Sequence, residues 1–296
     1  MSKLFRSVVL IMVIMVFVAC GKKEDEVETI KIGHKNYTEQ RVLGQLFAVM
    51  IENHTDYKTD VKELGGTKIA YEALKSGAID LYPEFTGTVY VALLNESGLK
   101  DPDKIYKLVK DRLKAEENLD YLNDLGYNNK YTLGVRAETA EKYNLTTFSD
   151  IAKVSDELVL GASMEFLERE DGMLGLKKAY LGMEFKEEKG LDVGLRYTAI
   201  KDGKIDVTDA FSTDGKLITH NLVILEDDKD FFPSYYAAPL LNGEFAETHP
   251  DVVEALGKLA GQVSETEMQK MNYRAEEDGV PTRIVAEEFL REKELL

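Results

Sequence analysis

The sequence predicts two similar α/β lobes, and three observations carry that expectation. Short β-rich runs alternate with helical periodicity. A pattern at residues 73–88 recurs at 199–214. The chain of 296 residues is long enough for two ordinary domains, and its 44% hydrophobic share is that of a protein with a real core.

The N-terminus comes first. Lys3 and Arg6 precede an apolar run over residues 8–18, followed by Ala19, Cys20 and Gly21. A basic start, a short apolar stretch and a small residue before the cut predict a secretory signal over residues 1–20. The run is too short to span a bilayer, which needs about 20 apolar residues. Cys20 is the only cysteine, and its place directly after the apolar run resembles the lipobox of bacterial lipoproteins. That resemblance implies acylation of Cys20 and attachment to the membrane by a diacyl anchor. Phe17 stands where a small aliphatic residue is usual. Residues 21–28 read as a charged, solvated tether.

Beyond the tether, Thr29 to Gly33 reads as a strand. Leu43, Leu46, Phe47 and Met50 then share one helical face, with Asn36 and Glu39 spaced as a capping-box variant at its start. A strand is expected near Val61, and Gly65-Gly66-Thr67 leads into a helix whose apolar positions are Ile69, Ala70, Ala73 and Leu74. Such alternation argues for mostly parallel sheets. The repeat aligns without gaps and matches Ala73 with Ala199, Lys75 with Lys201, Gly77 with Gly203, Ile79 with Ile205, Asp80 with Asp206, and Phe85 with Phe211. Each copy reads as helix end, glycine, strand, then a loop bearing a phenylalanine. Two similar lobes would place Phe85 and Phe211 beyond the carboxyl ends of their strands, where open α/β sheets bind ligands. A plain core role for both rings is the alternative reading.

The net charge of −17 repels phosphate backbones, so nucleic acid is not an expected partner. The four histidines are scattered, and neither a nucleophile elbow nor a phosphate-binding glycine loop occurs. Asp202, Asp206 and Asp209 lack the spacing of a calcium loop. No enzyme activity, metal or cofactor is expected. A hydrolase using His34 or Asp206 is a remote alternative.

Seven segments then carry a resemblance: GHKNYTEQ (33–40), GGT (65–67), LYPEFTGT (81–88), NNKYTLGV (128–135), EFLEREDG (165–172), DAFSTDGKL (209–217) and LEDDKDFFPSYYAAP (225–239). In order and spacing the chain resembles the glycine betaine/carnitine/choline-binding proteins of osmoprotectant ABC importers, over essentially the whole mature chain. The resemblance implies a periplasmic-binding-protein-like fold of type II with a ligand cleft between the lobes. It implies lobe I over residues 29–130 and 231–296, with lobe II over 131–230.

In that family a trimethylammonium group sits in a box of aromatic rings. A quaternary ammonium has no N–H to donate, so ring faces hold it through their quadrupoles. Carried over by position, the cation cage would be Phe85, Tyr131, Phe211 and Tyr235; tyrosine is usual at the first and third of these. Asn129 stands where some relatives have an acid, and its amide oxygen offers only a dipole. Lys35, Thr88 and Arg169 match the side chains that clamp a carboxylate. Two such cations would repel choline, which favours a betaine-type zwitterion. Tyr82 and Tyr236 are neighbouring competitors for the cage. The implied partners are a small quaternary-ammonium solute, an ABC permease with a separate ATPase, and the membrane through the N-terminal anchor; a monomer is expected. A larger betaine such as ergothioneine, or a non-quaternary solute such as an amino acid, is the alternative for the same scaffold.

Overall fold

The computed structural model describes residues 27–219 and 222–296. The signal, Cys20 and most of the tether lie outside the described residues. Two five-stranded sheets organise the chain. The first contains β1 (Thr29–His34), β2 (Lys58–Glu63), β3 (Leu81–Phe85), β4 (Leu119–Tyr121) and β10 (Ala237–Asn242), in the order β2-β1-β3-β10-β4. The second contains β5 (Tyr131–Arg136), β6 (Val159–Ser163), β7 (Glu187–Leu191), β8 (Val207–Phe211) and β9 (Leu222–Ile224), in the order β7-β6-β8-β5-β9. One strand is reversed in each: β10 runs antiparallel to β3 and β4, and β5 antiparallel to β8 and β9.

The repeat falls on equivalent strands, β3 and β8. Asp80 donates its N–H to the Lys31 carbonyl at 2.8 Å and accepts from the Lys31 N–H at 2.7 Å. Asp206 does the same with Val159, at 2.8 and 3.0 Å. Ile79 lies against Gly33 and Ile205 against Gly161; a Cβ on either glycine would stand 2.5 or 2.6 Å from the isoleucine Cδ1. Gly77 and Gly203 turn the chain with φ of +71° and +69°, where a side chain is strained. The repeated letters are thus the parts of one strand-docking device. Asp206 and Asp209 serve structure: Asp206 also pairs with Arg136, and Asp209 with Ser163 and Arg196.

The helix Thr38–His54 is buried on nearly every side, including Leu43, Leu46, Phe47 and Met50. The C-terminal helix Thr282–Glu292 packs against it through Val285, Ala286, Phe289 and Leu290. Two sequence expectations fail here. Tyr37, not Asn36, is the N-cap and makes no side-chain cap bond, while Glu39 turns inward and is 3% exposed. Buried side-chain donors claim its carboxylate in place of the backbone. In the helix Thr67–Lys75 the buried stripe runs through Thr67, Ala70, Tyr71 and Leu74, leaving Ile69 exposed. Among the described residues, no helix is long and apolar enough to cross a membrane.

The chain passes from one sheet to the other between β4 and β5, and returns between β9 and β10. These crossings lie side by side. Asn128 bridges Tyr236, the Asn129 N–H donates to the Tyr235 carbonyl at 2.9 Å, and the Tyr235 N–H donates to Asn128 Oδ1 at 2.7 Å.

Candidate functional site: an aromatic cleft between the two sheets

Phe85 ends β3, Phe211 ends β8, Tyr131 opens β5, and Tyr235 lies two residues before β10. Register brings Tyr131 directly opposite Phe211. One cavity of about 40 Å³ is walled by all four rings together with Lys35, Thr88, Asn129 and Arg169. Every side chain singled out for the site in the sequence therefore meets at one place. Tyr131 stands 4.6 Å from Phe211 and 5.6 Å from Tyr235, the latter at 83°, which makes the corner of a box. Gly87 lets the Tyr235 ring lie on the backbone: a Cβ there would be 2.6 Å from the ring. The competitors lie elsewhere. Tyr82 is fully buried with its hydroxyl on Glu84, and Tyr236 lies in a separate depression with Pro102 and Tyr106.

The cations are not free: each is paired with a buried carboxylate. Lys35 Nζ is 2.6 Å from Glu84, which is itself 0% exposed and also accepts from the Tyr82 hydroxyl and the Phe85 N–H. Arg169 makes a bidentate pair with Asp171, at 2.7 and 2.5 Å, and reaches Glu165 at 3.0 Å. Asp171 in turn accepts from the Tyr235 hydroxyl at 2.7 Å. Burial disfavours the charged form of Glu165, yet Lys35 and Arg169 outweigh it and hold that carboxyl below its ordinary range. Each cation is neutralised at close range and keeps N–H groups for a further acceptor.

Sequence reasoning missed several walls of the same cavity: Tyr37, Thr67, Ser163, Glu165 and Arg196. The Tyr37 ring stacks on Phe211 at 5.7 Å and 13°, reaching from the first sheet's side to the second. Thr67 donates to Glu165 at 2.6 Å across the same gap. Arg196, 2% exposed, pairs with Asp209 at 2.6 Å and Asp214 at 3.2 Å, and lies 5.3 Å from the Phe211 ring. Tyr37, Thr67 and Glu165 lie within the seven segments, so their signal was present; Ser163 and Arg196 lie in none.

Residues 28–292 match the family described as the substrate binding domain of ABC-type glycine betaine transport systems. The chain belongs to this family. It is a substrate-binding protein of an ABC-type transport system. It is 39% identical over 267 residues to the carnitine transport binding protein OpuCC of Listeria monocytogenes, covering 89% of this chain and 86% of that protein. It is 35% identical to the ergothioneine transport permease/ergothioneine binding protein EgtU of Helicobacter pylori, over 90% of this chain and 48% of that one. Among solved structures, one described as a glycine betaine/carnitine/choline ABC transporter superposes with TM-score 0.72 at 33% identity, covering 90% of this chain and 99% of that one.

Proposed function

We propose that this binding protein captures a trimethylammonium compound of the glycine betaine, carnitine or choline kind. Phe85, Tyr131, Phe211 and Tyr235 hold the cation, Lys35, Thr88 and Arg169 offer N–H and O–H donors to a carboxylate, and Asn129 adds a polar contact. The observation that carries this reading is the meeting of all eight side chains on one cavity. Three rings already lie within 5.8 Å of a side-chain cation: Phe85 of Lys35, Tyr131 of Arg169, and Phe211 of Arg196. Their faces thus sit in an environment suited to cations. Relatives named for carnitine and ergothioneine handle solutes that share the trimethylammonium group and a carboxylate, so the cage chemistry is common to them.

The two sheets with their helices act as lobes, residues 29–130 and 231–296 against 131–230, closing on the solute about the paired crossings. Closure presents the loaded form to a permease driven by a separate ATPase. The protein works outside the cytoplasm as a monomer, held to the membrane by a lipid on Cys20. Metabolic labelling with a fatty acid, lost in Cys20→Ala, tests the anchor.

Calorimetric titration with glycine betaine, carnitine, choline and ergothioneine tests the cage. At least one binds, and Phe211→Leu, which keeps the bulk and removes the ring face, weakens it about tenfold, within the range of a desolvated cation–π contact. Flat titrations with all four defeat the reading. An unchanged affinity in Phe211→Leu removes that ring from the cage.

A further inference from the structure

Asn129 is 3% exposed, sits in the first crossing, and is part of the cavity wall. Its Nδ2 donates to Glu39 Oε1 at 2.9 Å. Glu39 is also 3% exposed, and its carboxylate accepts from three further groups: the Tyr127 hydroxyl at 2.7 Å, Asn272 Nδ2 at 2.9 Å, and the Thr213 hydroxyl. An ionised carboxylate only accepts, so the NH₂ end of the Asn129 amide must face it. The orientation of the amide is thereby fixed. Its other end, Oδ1, is buried and has no hydrogen-bond partner among the described residues.

An orphaned buried acceptor is costly, and a solute that donates to it recovers that cost. Neither end of a simple betaine can do so: a trimethylammonium group has no N–H, and a carboxylate only accepts. The donor has to sit elsewhere on the solute. A second orphan on the same wall needs an acceptor instead, which a carboxylate or a hydroxyl supplies. Arg196 Nε, a donor, is likewise buried without a partner among the described residues. A hydroxyl is the smallest group that both donates and accepts.

We propose that Asn129 is a specificity-determining residue of this site, selecting trimethylammonium solutes that also carry an O–H or N–H donor over solutes, such as glycine betaine, that carry none. This rests on the trimethylammonium reading of the cage. It gives Asn129 a role of its own, set by Glu39, rather than that of a weakened acid.

Matched ligand pairs test it. Carnitine and γ-butyrobetaine differ by one hydroxyl, and choline and propyltrimethylammonium exchange a hydroxyl for a methyl. Calorimetric titrations at pH 8 keep Glu39 ionised, since burial raises its carboxyl to about 7. The wild-type chain binds the hydroxylated member of at least one pair about tenfold more tightly, as an orphaned polar group demands. Asn129→Ala still binds but brings that ratio close to one, a change that loss of packing alone does not produce. Equal affinities within both pairs, or a ratio unchanged in Asn129→Ala, overturn the inference. The wild-type ratios decide even where the variant fails to fold. Absence of heat with every trimethylammonium compound is a different outcome, which overturns the cage itself.

Discussion

The two copies of the turn-strand device share a skeleton and differ in the charges built upon it. In the first copy, Gly77, Ile79 and Asp80 dock β3 onto β1; in the second, Gly203, Ile205 and Asp206 dock β8 onto β6 with nearly the same distances. Past that point the copies diverge. The first ends in Glu84 and Phe85, with the acid held by Lys35. The second ends in Asp209, Ala210 and Phe211, with Arg196 bound to both Asp209 and Asp214. Each phenylalanine keeps a cation near its ring, at 5.7 Å for Lys35 and 5.3 Å for Arg196, although the cations come from unrelated positions. The contrast separates what each sheet needs in order to fold from the side chains that line the cavity.

The largest test of this comparison removes the cations. Arg196→Met strands two carboxylates, one of them fully buried, and should lower stability by about 3–5 kcal/mol. Lys35→Met removes the ion-pair partner of one carboxylate, Glu84, rather than of two, so its loss should be the smaller of the two. Urea unfolding ranks them, and the reverse order would show that the copies are balanced differently.

Glu39 sharpens the comparison, because its four partners are all neutral whereas Asp209 and Asp214 share a guanidinium. Burial, opposed by the Thr213, Tyr127 and Asn272 hydrogen bonds, raises its carboxyl from 4.5 to about 7. Below pH 4.5 the group is protonated in folded and unfolded chains alike. Between 4.5 and 7 only the unfolded chain releases the proton, so this acid costs stability as pH rises. The wild type should therefore lose about 3 kcal/mol relative to Glu39→Gln across that interval, and regain nothing above it. Denaturation of both proteins at several pH values measures the difference, and a pH-independent gap contradicts it.

The smallest test concerns the skeleton itself. Gly77→Ala and Gly203→Ala both force a side chain into the left-handed region and should each cost about 1–2 kcal/mol. Similar shifts in melting temperature are expected for the two. A large disparity would mean that the repeat is only a resemblance of letters.

How far the sequence was legible follows the same division. The docking device shows in the letters because glycine, isoleucine and aspartate each have one local task that spacing preserves. That these rings share one cavity was legible because the seven segments fixed their positions. What could not be read were pairings between distant positions: Lys35 meets Glu84 across 49 residues, and Glu39 meets Asn272 across 233. Local pattern assigned Glu39 to a cap, since helix-start spacing says nothing of which way a carboxylate turns once tertiary donors compete for it. The charged run around Arg169 likewise concealed a bidentate partner two residues away.

The paired crossings have a mechanical consequence. Asn129 lies within one of them, Tyr131 at its exit, and Tyr235 within the other. Under the proposed closure, the pivot and the recognition surface are the same few residues, and the lever arm between them is almost nil. Any torsion that swings the halves apart also respaces the rings and turns the Asn129 amide. On that reading grip and gape are geared to each other, and a substitution that stiffens the pivot is expected to shift solute residence time along with opening.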